Sequence, residues 1–106
     1  KLLDRTLILC MGEFGRTPRI SGDDGRDHHP SAFSGLLAGG GIRVGQVLGQ
    51  TDEDGTKVVA DNLSPADLFA TIASQLGLDP QETVQAPNGR PITLTDGGSV
   101  VAKLVR

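Results

Sequence analysis

Short apolar runs alternate with polar stretches along the 106-residue chain. Thr6–Met11 (TLILCM) and Phe33–Ala38 (FSGLLA) show no strict alternation of polar and apolar positions, a pattern typical of strands covered on both faces in a parallel sheet. We therefore expect these two runs to be neighbouring strands, with Cys10 as a buried, inert thiol. The polar segment 12–31 between them is too long for a simple connection, which indicates a functional or a disordered loop.

The second half of the chain carries one strong helix pattern, LSPADLFATIASQLGLDP at 63–80. Ser64 is a natural N-cap, and Asp67 three residues later completes a capping-box pattern. Gly77 suits the position just after a helix, so the predicted helix spans Pro65–Leu76. Its apolar stripe, which we expect to pack against the sheet, consists of Leu68, Ile72 and Leu76.

The remaining elements are shorter. The stretch TDEDGTK has the composition of a tight turn that reverses at Asp54-Gly55, so that a strand over Val44–Thr51 would pair with Val58-Val59. After the helix, APNGRP predicts a turn before a short strand at Ile92–Leu94. Together these elements predict a single α/β domain or fragment over residues 1–106, built as a partial, mostly parallel sheet with packed helices.

Composition excludes several classes of partner. The net charge is −3 and the only aromatic residues are Phe14, Phe33 and Phe69, which argues against a nucleic-acid partner. No apolar stretch approaches the roughly 20 residues of a transmembrane segment. The chain begins without Met, almost directly on an apolar strand, so we expect it to be the C-terminal piece of a longer protein.

Candidate ligands for a metal lie in the polar loop GEFGRTPRISGDDGRDHHP, which contains both histidines of the chain. Glu13 follows the end of the first apolar strand, where parallel sheets place ligand-binding groups. Asp27, His28 and His29 come after a flexible arm that can fold back. Carboxylate and imidazole together favour zinc or manganese over magnesium or calcium. Neighbouring side chains point apart, so one histidine would ligate and the other would hydrogen-bond; the alternative is that all four residues are solvated loop residues.

The same loop contains Arg16 and Arg19, whose role has two possible interpretations. Their guanidinium groups could clamp a phosphate or sulfate oxyanion through forked hydrogen bonds. Alternatively, they could form ion pairs with the nearby aspartates. The residues by themselves leave both readings open.

Several motifs occur together in one order: GEFGRTPRI, GRDHHPSAFSGLLAGGGIRVGQVLGQTDEDG, PADLFATIASQLGLDP and GRPITLTDGG. This combination closely resembles the C-terminal end of sulfatase-like proteins of the family called domain of unknown function 1501, which belong to the alkaline phosphatase superfamily and are abundant in planctomycete-type bacteria. The resemblance implies a C-terminal segment of an alkaline-phosphatase-like fold, exported to the periplasm or cell surface. It also implies that the missing N-terminal part of the same fold is a partner of this chain.

The resemblance also implies roles for individual residues. Glu13 takes the place of a metal-binding Asp, Phe14 replaces a metal-binding His, and His28 rather than His29 matches a later His ligand. No residue corresponds to the superfamily's nucleophile, so this segment alone is expected to be non-catalytic. The implied function is that of the C-terminal portion of a metal-dependent hydrolase of anionic sulfate or phosphate esters. The alternative is a catalytically inactive cell-surface or structural binding protein, which the replacement by Phe14 favours.

Overall fold

Secondary structure in the computed structural model, which describes residues 1–106, consists of eight short strands, one α-helix and one 3₁₀ turn. The strands are β1 (Leu7–Met11), β2 (Gly15–Arg16), β3 (His28–His29), β4 (Gly35–Gly39), β5 (Gln50–Thr51), β6 (Val58–Ala60), β7 (Thr83–Gln85) and β8 (Pro91–Thr93). Helix α1 spans Pro65–Gln75, and the 3₁₀ turn spans Leu2–Arg5. Each strand pairs with one other, in the pairs β1–β4, β2–β3, β5–β6 and β7–β8. None of the helical segments has the length and apolar character needed to cross a membrane.

The predicted mostly parallel sheet with packed helices is wrong. Three of the pairs are antiparallel hairpins. In the fourth pair Gly35 lies beside Met11, and Gly39 lies beside Thr6, so β1 and β4 also run in opposite directions. Parallel strands need a long crossover, usually a helix, whereas the segment between β1 and β4 folds as a hairpin. The prediction that the two apolar runs are neighbouring strands is confirmed.

The predicted burial of the first strand is also wrong. Ile8 is 44% exposed and Met11 38% exposed in β1, and Leu36 of β4 is 57% exposed. Cys10 is an exposed free thiol rather than a buried one. A continuous apolar run shows that a strand can be covered on both faces, but its residues cannot show that covering elements are present.

The chain divides into two compact units. The first consists of 1–7, 39–46 and 63–106, and the second of 8–38 and 47–62. Every fully buried residue belongs to the first unit, and none belongs to the second. The buried hydrophobic side chains are Ile42, Leu68, Ala70, Ala73 and Leu104, accompanied by the buried polar residues Thr71 and Thr95.

Helix α1 belongs to the first unit and begins as the sequence predicts. The Ser64 hydroxyl accepts from the Asp67 N–H at 3.1 Å, while the Asp67 carboxylate accepts from the Ser64 N–H and hydroxyl, which completes the capping box. The predicted apolar stripe is only partly correct, because Leu76 is 66% exposed. The buried face consists of Leu68, Ala70, Thr71 and Ala73.

Small residues on that face admit the C-terminal tail, whose state the sequence does not predict. The Ser99 N–H donates to Asp67 Oδ1 at 2.9 Å, and the Val101 N–H donates to Thr71 Oγ1 at 3.0 Å. Hydrogen bonds from the Ser64 hydroxyl and then from the Ser99 amide hold the pKa of Asp67 below its usual value. The tail is therefore attached to the helix by hydrogen bonds to two helical side chains, Asp67 and Thr71.

Two hairpins agree with the sequence in part. β5 pairs with β6 across a turn that contains Gly55 at a φ of +70°, which confirms the predicted reversal. The predicted strand Val44–Thr51 is reduced to Gln50–Thr51, because the preceding segment does not pair. The strand predicted at Ile92–Leu94 is observed as β8, and its partner β7 is not evident from the sequence pattern.

Candidate functional site

The polar loop 12–31 folds around a short antiparallel hairpin in the second unit. Gly15 of β2 pairs with His29 of β3, and Arg16 pairs with His28. The Thr17 N–H continues the ladder by donating to the Asp27 carbonyl at 3.0 Å. A Cβ at Gly15 would collide with the carbonyl oxygens of Ala32 and His29, so the close approach of the chain requires glycine at this position. The hairpin brings residues distant in sequence to one place.

The side chains of Phe14, Arg16 and His28 form a cluster on one face of this hairpin. Phe14 and Arg16 are two residues apart and share a face, and His28 lies directly opposite Arg16. The rings of Phe14 and His28 have centroids 3.9 Å apart, with a tilt of 36° between their planes. The Arg16 guanidinium carbon lies 5.1 Å from the Phe14 ring centroid, within the range of a cation–π interaction. We call Phe14, Arg16 and His28 the hairpin cluster.

The hairpin cluster is open to solvent, and its Arg16 guanidinium is available to bind an anion. Arg16 and His28 are exposed, and Phe14 is half-buried. Arg16 uses one guanidinium nitrogen to donate to the Arg26 carbonyl at 3.3 Å and forms no ion pair. Phe14 and the Arg26 carbonyl thus orient the guanidinium while leaving most of its N–H groups able to bind an anion.

A groove of about 650 Å³ lies beside Arg16. Its lining residues are Arg16, Ile20, Asp23, Asp24, Gly25 and Arg26. The Arg26 guanidinium donates to the carbonyls of Thr17 and Pro18, so it stabilises the loop that forms the groove. Arg26 is a functional candidate that the sequence reasoning missed, because nothing in its surroundings along the chain distinguishes it from a solvated arginine.

The second predicted anion-binding residue, Arg19, is placed differently from Arg16. Its guanidinium lies 3.9 Å from Asp54 Oδ1, and both side chains are largely exposed. An exposed pair at this distance contributes little to stability. Its partner is an aspartate of the β5–β6 turn, not the Asp23-Asp24 pair next to it in the sequence.

His29 makes a contact that the sequence did not indicate. Its Nε2 lies 2.8 Å from the Thr56 carbonyl oxygen. Because a carbonyl can only accept, Nε2 carries the proton and donates. The β3 strand alternates its side chains between faces, so His29 points away from the hairpin cluster while His28 belongs to it.

Asp52 organises the turn that supplies this carbonyl. Its Oδ1 accepts from the N–H groups of Thr56 and Lys57 at 2.6 and 3.1 Å, and its Oδ2 accepts from the Thr56 hydroxyl at 2.6 Å. These bonds, led by that of the Thr56 hydroxyl, hold the pKa of Asp52 below its usual value. The Asp-x-x-x-Thr spacing within TDEDGTK is the sequence signal from which this network could have been found.

The four predicted metal ligands do not form a metal site among themselves. Glu13 and Asp27 are exposed, His28 packs on Phe14, and the Nε2 of His29 is committed to Thr56. No three His, Cys, Asp or Glu side chains lie close enough together to hold a metal ion. A catalytic zinc site needs three protein ligands and a structural one needs four, so these residues do not fit a bound metal without ligands from elsewhere. The predicted zinc or manganese ion stays a prediction.

The family model described as "Protein of unknown function (DUF1501)" matches residues 1–105, and the chain belongs to this family. No curated protein and no solved structure matches the chain. The match confirms the prediction, made from the sequence motifs, that the chain belongs to the domain of unknown function 1501 family. The sulfatase-like relationship and the superfamily stay predictions.

Proposed function

We propose that this chain provides an anion-recognition surface, through the hairpin cluster, to a protein that acts on sulfate or phosphate esters. The observation that carries the proposal is the placement of Arg16: it is exposed, has no carboxylate partner, and is held between the Phe14 ring and the Arg26 carbonyl. A planar guanidinium held in this way suits the two oxygens of a sulfate or phosphate group. His28, directly opposite, offers a further N–H donor to the same anion.

The proposal assigns no metal step to these residues. If the intact protein holds zinc or manganese, as the family resemblance implies, this chain would contribute at most part of the ligand set. The chain also offers no activated nucleophile. Recognition of the ester anion is therefore the contribution that its own residues support, with any hydrolysis depending on groups outside them.

Binding of the anion alone is the direct test. The protein, labelled with ¹⁵N, is titrated with sodium sulfate and with phenyl phosphate against sodium chloride at matched ionic strength, and the amide shifts are followed by NMR. Because the groove also carries Asp23 and Asp24, we expect weak binding, with a Kd on the order of 1 mM. The shifts should concentrate at Arg16 and His28.

Matched variants identify the residue responsible. Arg16→Gln should reduce sulfate affinity about 10-fold, since one charge-assisted bidentate contact is lost. Arg5→Gln, which removes the same charge from an exposed position in the 3₁₀ turn, should leave the affinity unchanged. Equal sulfate affinities for the two variants would show that binding depends on the net charge of the protein and not on the position of Arg16.

A second candidate is a catalytically inactive binding protein that uses the same face to dock another macromolecule. The stacking of Phe14 on His28 favours this second candidate, because the stacked imidazole is one that a metal-dependent hydrolase would need as a metal ligand. Zinc titration separates the two. A His28→Ala variant that loses 10-fold or more in zinc affinity, while His29→Ala loses less, would support metal binding by the protein. Zinc affinity that is equal in the wild type and in both variants would favour the docking role.

A further inference from the structure

The second unit has to hold the hairpin cluster in place without a hydrophobic core. None of its residues is fully buried, so polar contacts have a larger share in fixing the position of one hairpin against another than they would beside a buried core. Within this unit the described contacts between the β2–β3 and β5–β6 segments include the bond from His29 to Thr56 and the distant pair Arg19–Asp54. The first is a hydrogen bond of ordinary length from a half-buried ring, and the second is at the limit of an ion pair.

The His29 bond connects two ordered parts. On one side, His29 is in register with Gly15, next to the Arg16–His28 pair. On the other side, the Thr56 carbonyl belongs to a turn whose geometry is held by three hydrogen bonds to the Asp52 carboxylate. A single continuous series of contacts therefore runs from Asp52 through Thr56 and His29 to the strand that carries His28.

We infer that His29 is a positioning residue for the hairpin cluster, and that the Asp52 turn controls anion recognition through it. The inference rests on the proposed function for its binding readout, but its structural part does not. His29 does not touch the anion, since it faces away from Arg16. Its donor Nε2–H holds β3 to the turn, and β3 holds His28 opposite Arg16.

Two pairs of variants test this in the full chain. His29→Phe removes the donor and keeps a ring, whereas His29→Gln keeps an N–H donor at similar reach. Asp52→Ala removes the acceptor that orders the turn, whereas Glu53→Ala removes the same charge from the next, exposed position. NMR signals of Ser99 and Val101, which belong to the first unit, report whether the rest of the chain is still folded.

The binding readout is sulfate affinity. We expect His29→Phe and Asp52→Ala to weaken it about 2- to 10-fold, the equivalent of one lost hydrogen bond. Glu53→Ala should not weaken it, and His29→Gln should recover at least half of the loss measured in logarithmic units. Equal sulfate affinities for Glu53→Ala and Asp52→Ala would overturn the inference, because the effect would then not depend on the hydrogen bonds of the Asp52 carboxylate.

A second readout does not depend on anion binding. In the wild type, long-range ¹H–¹⁵N spectra should show His29 protonated at Nε2, and the Thr17 amide should be protected from exchange. His29→Phe and Asp52→Ala should both lower the protection of Thr17, a bond that neither residue makes. If the wild type binds no sulfate but these structural effects occur, the proposed function fails and the positioning role stands. If Thr17 protection is unchanged in both variants, the positioning role is wrong whatever the sulfate result.

Discussion

Thr71 offers the sharpest quantitative test of how the C-terminal tail is held. Its side chain is fully buried in helix α1, and its hydroxyl donates to the Asp67 carbonyl at 2.7 Å while it accepts from the Val101 N–H at 3.0 Å. Thr71→Val keeps nearly the same shape but removes the acceptor. The Val101 N–H then has no partner at this position, so the change acts mainly on the tail.

The expected cost follows from the two bonds. The bond to the Asp67 carbonyl contributes little net free energy, because this i to i−4 contact competes with the helix's own ladder. Leaving the Val101 N–H unpaired costs about 1–3 kcal/mol in a buried setting. Because Val101 is only half-buried, water can reach part of it, and we expect about 1–2 kcal/mol. For a domain of this size that lowers the Tm by roughly 4–8 °C per kcal/mol.

The assay is denaturant unfolding followed by circular dichroism, since the chain has no Trp or Tyr for intrinsic fluorescence. Thr83→Val, the same chemical change at an exposed strand position, serves as the control and should stay within about 0.5 kcal/mol of the wild type. Thr71→Ser keeps the hydroxyl and should retain protection of the Val101 amide. If Thr71→Val is as stable as the control variant and the Val101 amide stays protected, the hydroxyl does not hold the tail.

Three further outcomes can be checked. Leu68→Ala should destabilise the chain by about 2–4 kcal/mol, and Leu76→Ala by less than about 0.5 kcal/mol, because the first side chain is buried and the second is exposed; equal costs in denaturant unfolding would mean that the helix face is misassigned. The pKa of Asp67 is lowered in the folded chain, so its carboxylate stabilises the tail above the usual pKa of 3.8. This contribution should be lost as the pH falls below that value. The loss should be measured as reduced exchange protection of the Ser99 amide relative to the Gly89 amide. The chain alone should not hydrolyse an aryl sulfate or phosphate with zinc or manganese present, because it contains no activated nucleophile; metal-dependent turnover abolished by one Ser or Thr substitution would contradict this.

Local structure was largely determined by the sequence itself. Ser64 and Asp67 define the start of helix α1 by hydrogen bonds within three residues, and Asp54-Gly55 defines a reversal through the backbone freedom of glycine. Such features depend on neighbours along the chain, so their pattern is visible in the residues. The charged loop was likewise recognisable as the place where both histidines and three arginines are concentrated.

Strand direction and side-chain partners were decided only by the tertiary structure. An apolar run such as Leu7–Met11 suits a parallel or an antiparallel strand equally well, and the hairpin folded between β1 and β4 selects the second. In the same way, adjacent histidines look equivalent in the sequence. One-residue alternation in β3 places His28 against Phe14 and His29 against the Thr56 carbonyl, 27 positions away in the chain. A hydrogen bond over that separation depends on how two hairpins meet, which no local pattern encodes.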